Sequence, residues 1–210
     1  MDIEVRGLRK SFGDRPVFWD LNLTFPRGEI TVLTGENGAG KTTLLRMMMG
    51  LEVSDAGEIA GLPDVRSALF QEDRLLPDLS VLRNVALGCP RSPAREEILR
   101  HLEAVGLKEK ADAPVGELSG GMARRAALVR ALFAPSELVL LDEPFSNLDP
   151  GSLRRAAEYI ARAASGPLGR GCAARTVVAV VHGDIFSGAA DVLADARRVE
   201  IRSPAPVQAG

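Results

Sequence analysis

Cysteine is scarce in this sequence, an excess of basic residues is absent, and no hydrophobic run is long. The two cysteines, Cys89 and Cys172, stand far apart in Gly- and Pro-rich surroundings. That pattern excludes a disulfide-stapled scaffold and reads as two free thiols in a reducing cytosol. Lys and Arg number 26 against 28 Asp and Glu, a net charge of −2. Nothing therefore draws the chain to nucleic acid or to an anionic membrane surface by bulk attraction. The longest strongly apolar runs, VVAVV at 177–181 and LVLL at 138–141, are strand-length, well short of the roughly 20 residues a membrane-spanning helix needs. The opening MDIEVRGLRK holds no apolar segment of the kind a secretory signal carries. No internal repeat and no heptad pattern is visible.

What is present is an alternation of strand and helix signals. A length of 210 residues with 46% hydrophobic content fits one compact unit with an inserted subdomain. Ile3-Glu4-Val5 alternates, Val17 to Phe25 is apolar with a polar interleave, and Pro26 to Glu29 reads as a turn before a short buried strand at Ile30 to Leu33. Thr42 to Met49 reads as a helix closed by Gly50. From about Leu75 to Leu107 the character changes. Pro77, Pro90 and Pro93 punctuate the chain, and Ile98, Leu99, Leu102 and Val105 share one face of a helix over 94–105. This region reads as a helical insertion, whose whole extent is placed at about 72–135. A strand at Leu138 to Leu141, a helix at Ser152 to Ala164 and a buried strand at Val177 to Val181 follow. Strands alternating with helices predict a mainly parallel α/β sheet. The Gly-rich 165–172 stretch reads as a loop and SPAPVQAG at 203–210 as a disordered tail, leaving 1–202 as one domain.

Three motifs carry chemistry. GENGAGKTT runs from Gly35 through Glu36, Asn37, Gly38, Ala39, Gly40, Lys41 and Thr42 to Thr43, between a strand and a helix. Its glycines let backbone N–H groups curl around phosphates, Lys41 reaches the β- and γ-phosphates, and the Thr42 hydroxyl is a ligand for Mg²⁺. LVLLDEP, Leu138 to Pro144, is an apolar strand ending in two carboxylates. Asp142 faces the Mg²⁺ through water, and Glu143 is placed to polarise an attacking water as general base. The third motif is ELSGGMARRAALVRALF at 117–133. Ser119-Gly120-Gly121 opens an Arg-studded helix, with Ser119 as its cap and Met122, Ala126, Val129 and Phe133 as its buried stripe. Free N–H groups and the positive end of the helix dipole make this a second anion-binding corner, yet the chain has only one phosphate lysine.

Together, in this order, GENGAGKTT, LSGG and LLDEPFSNLD resemble the ATP-binding subunits of ABC transporters, over about Ile3 to Ile201. The resemblance implies a P-loop NTPase fold of ABC type, with a mainly parallel core, an N-terminal antiparallel β subdomain and the inserted helical subdomain. It implies ATP and Mg²⁺. Phe12 looks like the aromatic that stacks on adenine, although by itself it is equally a strand-end core residue. Gln71 resembles the glutamine that senses Mg²⁺ and the attacking water; taken alone it is a loop polar residue. Ser119, Gly120 and Gly121 match the signature motif, with Met122 where glutamine is commoner. Asp149 looks like the residue that links two nucleotide sites across a dimer, or simply an acid at a helix start. His182 stands where the family places a histidine on the γ-phosphate, but Val-Val precedes it and Gly183 follows it. His101 reads as a residue on the solvated face of its helix.

The resemblance also implies partners. One phosphate loop and one LSGG in a chain too short for two cassettes imply head-to-tail pairing with a second ATP-binding subunit, a homodimer. The missing lysine of the LSGG corner then belongs to the other copy. Phe70 to Gly88 resembles the corresponding stretch in importers for nitrate, sulfonates and taurine. This implies a transmembrane permease, a solute-binding protein in the same complex, a place on the cytoplasmic face of the membrane, and no nucleic acid. Leu75, Leu76, Pro77 and Leu79 are expected to form an exposed patch that docks a permease helix. The chain ends soon after its last strand, without the C-terminal regulatory domain some importer ATPases carry. The competing readings are a soluble ABC ATPase with a non-transport task and a P-loop kinase acting on a small molecule.

Overall fold

A computed structural model describes residues 1–165, 174–181 and 188–202. Its centre is a five-stranded sheet in the order β5-β6-β7-β3-β8. These are Arg66–Leu69, Leu138–Asp142, Thr176–Val180, Ile30–Thr34 and Arg197–Glu200. Every pairing in it is parallel. A second sheet, in the order β2 (Arg15–Phe25), β1 (Ile3–Phe12) and β4 (Ala56–Ala60), is antiparallel. The helices are α1 (Lys41–Met48), α2 (Val81–Ala86), α3 (Arg95–Ala104), α4 (Gly120–Phe133) and α5 (Pro150–Ser165). Between β5 and β6 the chain is helical wherever it is regular, with short 3-10 turns at Lys108–Lys110 and Val115–Glu117.

The central strands are apolar on both faces because both faces are covered. Val139, Leu141, Val177 and Ala179 join a cluster with residues of α2 to α5. Their neighbours Leu138, Leu140, Val178 and Val180 point the other way, into a cluster with α1 and the antiparallel sheet. That is the two-residue period of a strand, buried twice.

Three strands fall where no strand was expected: β4, β5 and β8. Helix α1 begins one residue earlier than predicted. Met49 is its cap, and Gly50, with φ of 72°, makes the left-handed turn just beyond it. Helix α4 is buried on more than one stripe. From Arg124 to Phe133 only Arg130 is not buried, while Met122 is half-buried. Alanines at 123, 126, 127 and 131 let neighbours approach α4 from several sides.

His101 is not on a solvated face. Its Nδ1 lies 2.8 Å from the Tyr159 hydroxyl and its ring meets Phe133 edge-on at 4.8 Å. It stands one turn from Ile98, so the periodicity that buries Ile98 and Leu102 turns His101 inward too. Burial holds its pKa below the usual imidazole value, with Arg100 acting the same way and Glu97 opposing. Cys89 is a free, half-buried thiol whose pKa burial raises. Cys172, His182, most of the Gly-rich 165–172 stretch and the 203–210 tail lie outside the described residues.

Candidate nucleotide-binding site

The loop between β3 and α1 closes only because three of its residues lack a side chain. Gly35, Gly38 and Gly40 have φ of 142°, 82° and 93°, conformations L side chains rarely adopt. A Cβ on Gly35 would run into the Ile201 carbonyl, and one on Gly40 would lie 2.5 Å from Val17 Cγ1. Ala39, by contrast, is buried, and its N–H donates to the Glu36 carbonyl at 3.2 Å. Lys41, the first residue of α1, donates from Nζ to the Gly35 and Glu36 carbonyls at 2.7 and 2.9 Å. Burial lowers its pKa, against the raising influence of Glu143 and Asp142.

A cavity of about 320 Å³ opens over this loop. Asn37, Gly38, Gly40, Lys41, Thr42 and Thr43 form its floor, with Glu143 and Val180 on one side. Phe12, Arg15 and Val17 of the antiparallel sheet border the rest. Phe12 is 51% exposed, so it is no core residue; the Lys10 ammonium sits 4.8 Å from its ring centre.

Two oxygen groups that could hold a metal ion meet beneath the loop. Thr42 donates from Oγ1 to Asp142 Oδ1 at 3.2 Å. Asp142 is only 3% exposed. Desolvation raises its pKa; the Thr42 hydrogen bond and the charges of Arg124 and Lys41 pull it down, while Glu143 raises it further. A buried carboxylate short of positive charge, beside a hydroxyl, fits Mg²⁺ held by one or two protein oxygens, with water and phosphate completing the shell. Among the described residues no group of three or more His, Cys, Asp or Glu gathers into a metal cage.

Glu143 holds φ at 52°, a region non-glycine residues avoid, and its N–H donates to the Val180 carbonyl at 3.1 Å. Such strain persists where surroundings over-determine it, often at a working site. Here it turns the chain sharply after β6, and Glu143 lines the cavity while Asp142 stays beneath it.

Among the described residues, Gln71, Ser119, Gly120, Gly121 and Asp149 do not line the cavity. Gln71 is exposed in the loop after β5 and does not line it. Ser119 caps α4, its Oγ accepting from the Met122 N–H at 3.4 Å. Ser119 and Gly120 are exposed, and a Cβ on Gly121 would lie 2.8 Å from the Asn147 carbonyl. Asp149 accepts the Ser152 N–H at 3.0 Å at the start of α5, and hydrogen bonds from Ser152 lower its pKa.

One residue that sequence reasoning passed over ties these parts together. Arg124, on α4, is 1% exposed. It donates to the carbonyls of Phe70 at 2.6 Å and Gln71 at 3.4 Å, and pairs with Asp73 at 2.8 Å. It also donates to the Glu143 carbonyl at 2.9 Å and to that of Asp142. Arg130, further along α4, donates to the carbonyls of Asp73 and Arg74, both at 2.7 Å. The loop after β5 is thus bolted to α4, and α4 to the carboxylate-bearing end of β6. The doublet of arginines after LSGG was the available signal, but nothing in the sequence marked which of them turns inward.

The family model described as ABC transporter matches residues 18–146. Over 148 residues the chain is 51% identical to an aliphatic sulfonates import ATP-binding protein of Nocardia farcinica, covering 70% of this chain and 60% of that protein. A protein of the same description from Granulibacter bethesdensis is 42% identical over 160 residues, 76% of this chain and 67% of its own length. The match spans about three-fifths of the first relatives, 60% and 59% of two of them. A dimeric structure of a bacterial ABC transporter cassette superposes with a TM-score of 0.77 at 24% identity, covering 95% of this chain and 94% of that one. A nucleotide-free ATP-binding cassette from an ABC transporter gives 0.73 at 19% identity, over 98% and 90%. At these identities the likeness is one of fold, and it extends to both sheets.

Proposed function

The chain belongs to the ABC transporter family, and from that premise we propose that it is the ATP-binding and ATP-hydrolysing subunit of a bacterial importer. The observation that carries the reading is the shared cavity. The glycine cradle, Lys41, Thr42 and Glu143 border one space of about 320 Å³, with Asp142 hydrogen-bonded to Thr42 below it.

In this reading Phe12 stacks on the adenine and the loop amides hold the phosphates. Lys41 exchanges its two loop carbonyls for the β- and γ-phosphates. Thr42 and Asp142, with Gln71, hold Mg²⁺, which neutralises phosphate charge when bound. Glu143 accepts the proton of a water aligned on the γ-phosphorus, and His182 adds a contact to the γ-phosphate. Ser119 to Gly121 and Asp149 act across a head-to-tail homodimer. The LSGG corner lies outside its own chain's cavity, with Ser119 and Gly120 exposed, which supports service to a second copy.

In the same reading the subunit sits on the cytoplasmic face through a permease; among the described residues no helix is long and apolar enough to cross a membrane. The relatives' names support a sulfonate-type solute, delivered with a solute-binding protein. The test is MgATP hydrolysis. Glu143→Gln should retain ATP binding while the rate falls about a hundredfold or more, the scale of a lost general base. A variant hydrolysing at the wild-type rate would remove Glu143 from this role.

A further inference from the structure

We propose that Arg15 is a nucleotide-contact residue, its guanidinium binding the phosphate chain beside Gly38. The inference rests on the ATP-binding reading above and adds to it a residue that none of the motifs contains.

Geometry fixes where Arg15 stands. The start of β2 is pressed onto the phosphate loop: a Cβ on Gly40 would lie 2.5 Å from Val17 Cγ1 and 2.6 Å from the Phe18 ring. The pairing with β1 shifts register at Val17, so alternation does not relate the two side chains, but Arg15 and Val17 both border the cavity. A Cβ on Gly38 would lie 2.9 Å from Arg15 Nη2. The guanidinium therefore rests directly over the loop backbone. Arg15 also stands opposite Phe12 in the β1–β2 register. The end of this hairpin presents a half-exposed aromatic ring and a cation side by side at one cavity.

Charge says what the cation is for. Arginines that serve this fold have acceptors: Arg124 holds carbonyls and Asp73, and Arg27 pairs with Glu137. Lys10, near Phe12, is held by Glu52 at 2.8 Å. The Arg15 side chain makes no hydrogen bond or ion pair with any described residue, its backbone pairing with Phe12 apart. It shares the cavity with Lys41 and the glycine loop, with the Glu143 carboxylate on one side. An anion placed beside Gly38 would give the guanidinium an acceptor. A guanidinium offers a planar fork of N–H donors that matches phosphate oxygens. Arg15 thus adds a side-chain cation to a cradle otherwise made of backbone and one lysine.

The test compares two fluorescent probes on the full chain with Mg²⁺: trinitrophenyl-ATP, and trinitrophenyl-adenosine, which keeps the rings and lacks phosphates. Arg15 is exposed, so Arg15→Met keeps the fold. The variant should bind trinitrophenyl-ATP about tenfold more weakly and trinitrophenyl-adenosine within about twofold of wild type, as loss of one charge-assisted contact requires. Equal weakening of both probes would overturn the proposal, because Arg15 would then shape the hairpin that carries Phe12. Unchanged affinity for both would overturn it as well. Folded wild-type protein that binds neither probe would instead remove the ATP-binding reading, and the inference with it.

Discussion

Burying Asp142 carries a cost in stability. Its burial raises the carboxyl pKa above the usual range, and Thr42, Arg124 and Lys41 offset this only in part. A carboxyl raised in the folded state binds more protons there than in the unfolded chain, so stability falls as pH rises through that window. Asp142→Asn should therefore stabilise the ligand-free protein at about pH 8, with a smaller gain at about pH 5, because falling pH favours the protonated carboxyl. A relief of about 1 kcal/mol moves the melting temperature by about 2–4 °C in a chain of this size. MgATP hydrolysis should be lost in the same variant. Thermal unfolding at the two pH values checks this; an Asn variant that melts earlier at the higher pH would show the carboxylate to be fully compensated. At this scale the sequence was most readable where function is contiguous. Gly35 to Thr43 present all their donors from one stretch, and Asp142-Glu143 end an unmistakable apolar run. Arg15 and Arg124 were silent because they work through space. One reaches the loop from a neighbouring strand, and the other crosses to two segments far away in the chain.

Helix α4 is the element on which the site's parts meet. Arg124→Met would remove the donor from the Phe70 and Asp142 carbonyls and leave Asp73 unpaired, while the Glu143 carbonyl keeps the Ser146 N–H. Breaking this part-exposed pair and stranding a buried carbonyl costs about 1–3 kcal/mol. Denaturant unfolding should show a loss of that order, and amide exchange at Gln71 to Arg74 should accelerate more than in the antiparallel sheet. Unaltered exchange in that loop would mean Arg130 alone holds it. Among the strands, legibility followed burial. β6 and β7 are covered on both faces and read as continuous apolar runs. β5 and β8 are the edges of the same sheet, four residues each, reading RSAL and RRVE. Edge strands tolerate charge, so their extended form is set by β6 and β3 rather than by their own residues. β4 carries Gly57, where a Cβ would strike the backbone of Arg6 and Gly7, so it too is defined by its partner strand. His101 was misread for the opposite reason: the helical period was clear, and only its polarity argued for solvent.

In the whole molecule, the surface expected to meet a permease is narrower than its sequence implied. Leu76 is 49% exposed and Pro77 is exposed, but Leu75 is half-buried against the main core and Leu79 is half-buried too. Leu76→Glu should therefore lower solute uptake in reconstituted vesicles while leaving the basal ATPase rate of the isolated subunit unchanged. Leu75→Glu should instead lower the melting temperature. Equal uptake with Leu76→Glu would place the permease contact elsewhere. The larger question is why one chain carries a complete phosphate loop and, away from that cavity, an exposed Ser-Gly-Gly corner. Two copies facing head to tail would bring each corner to the other's phosphates. The most direct measurement is the solution mass of Glu143→Gln, by size-exclusion chromatography with light scattering, at saturating MgATP. The account predicts a particle of twice the chain mass that returns to a single chain when nucleotide is removed. A variant that binds MgATP and remains a single chain would contradict it.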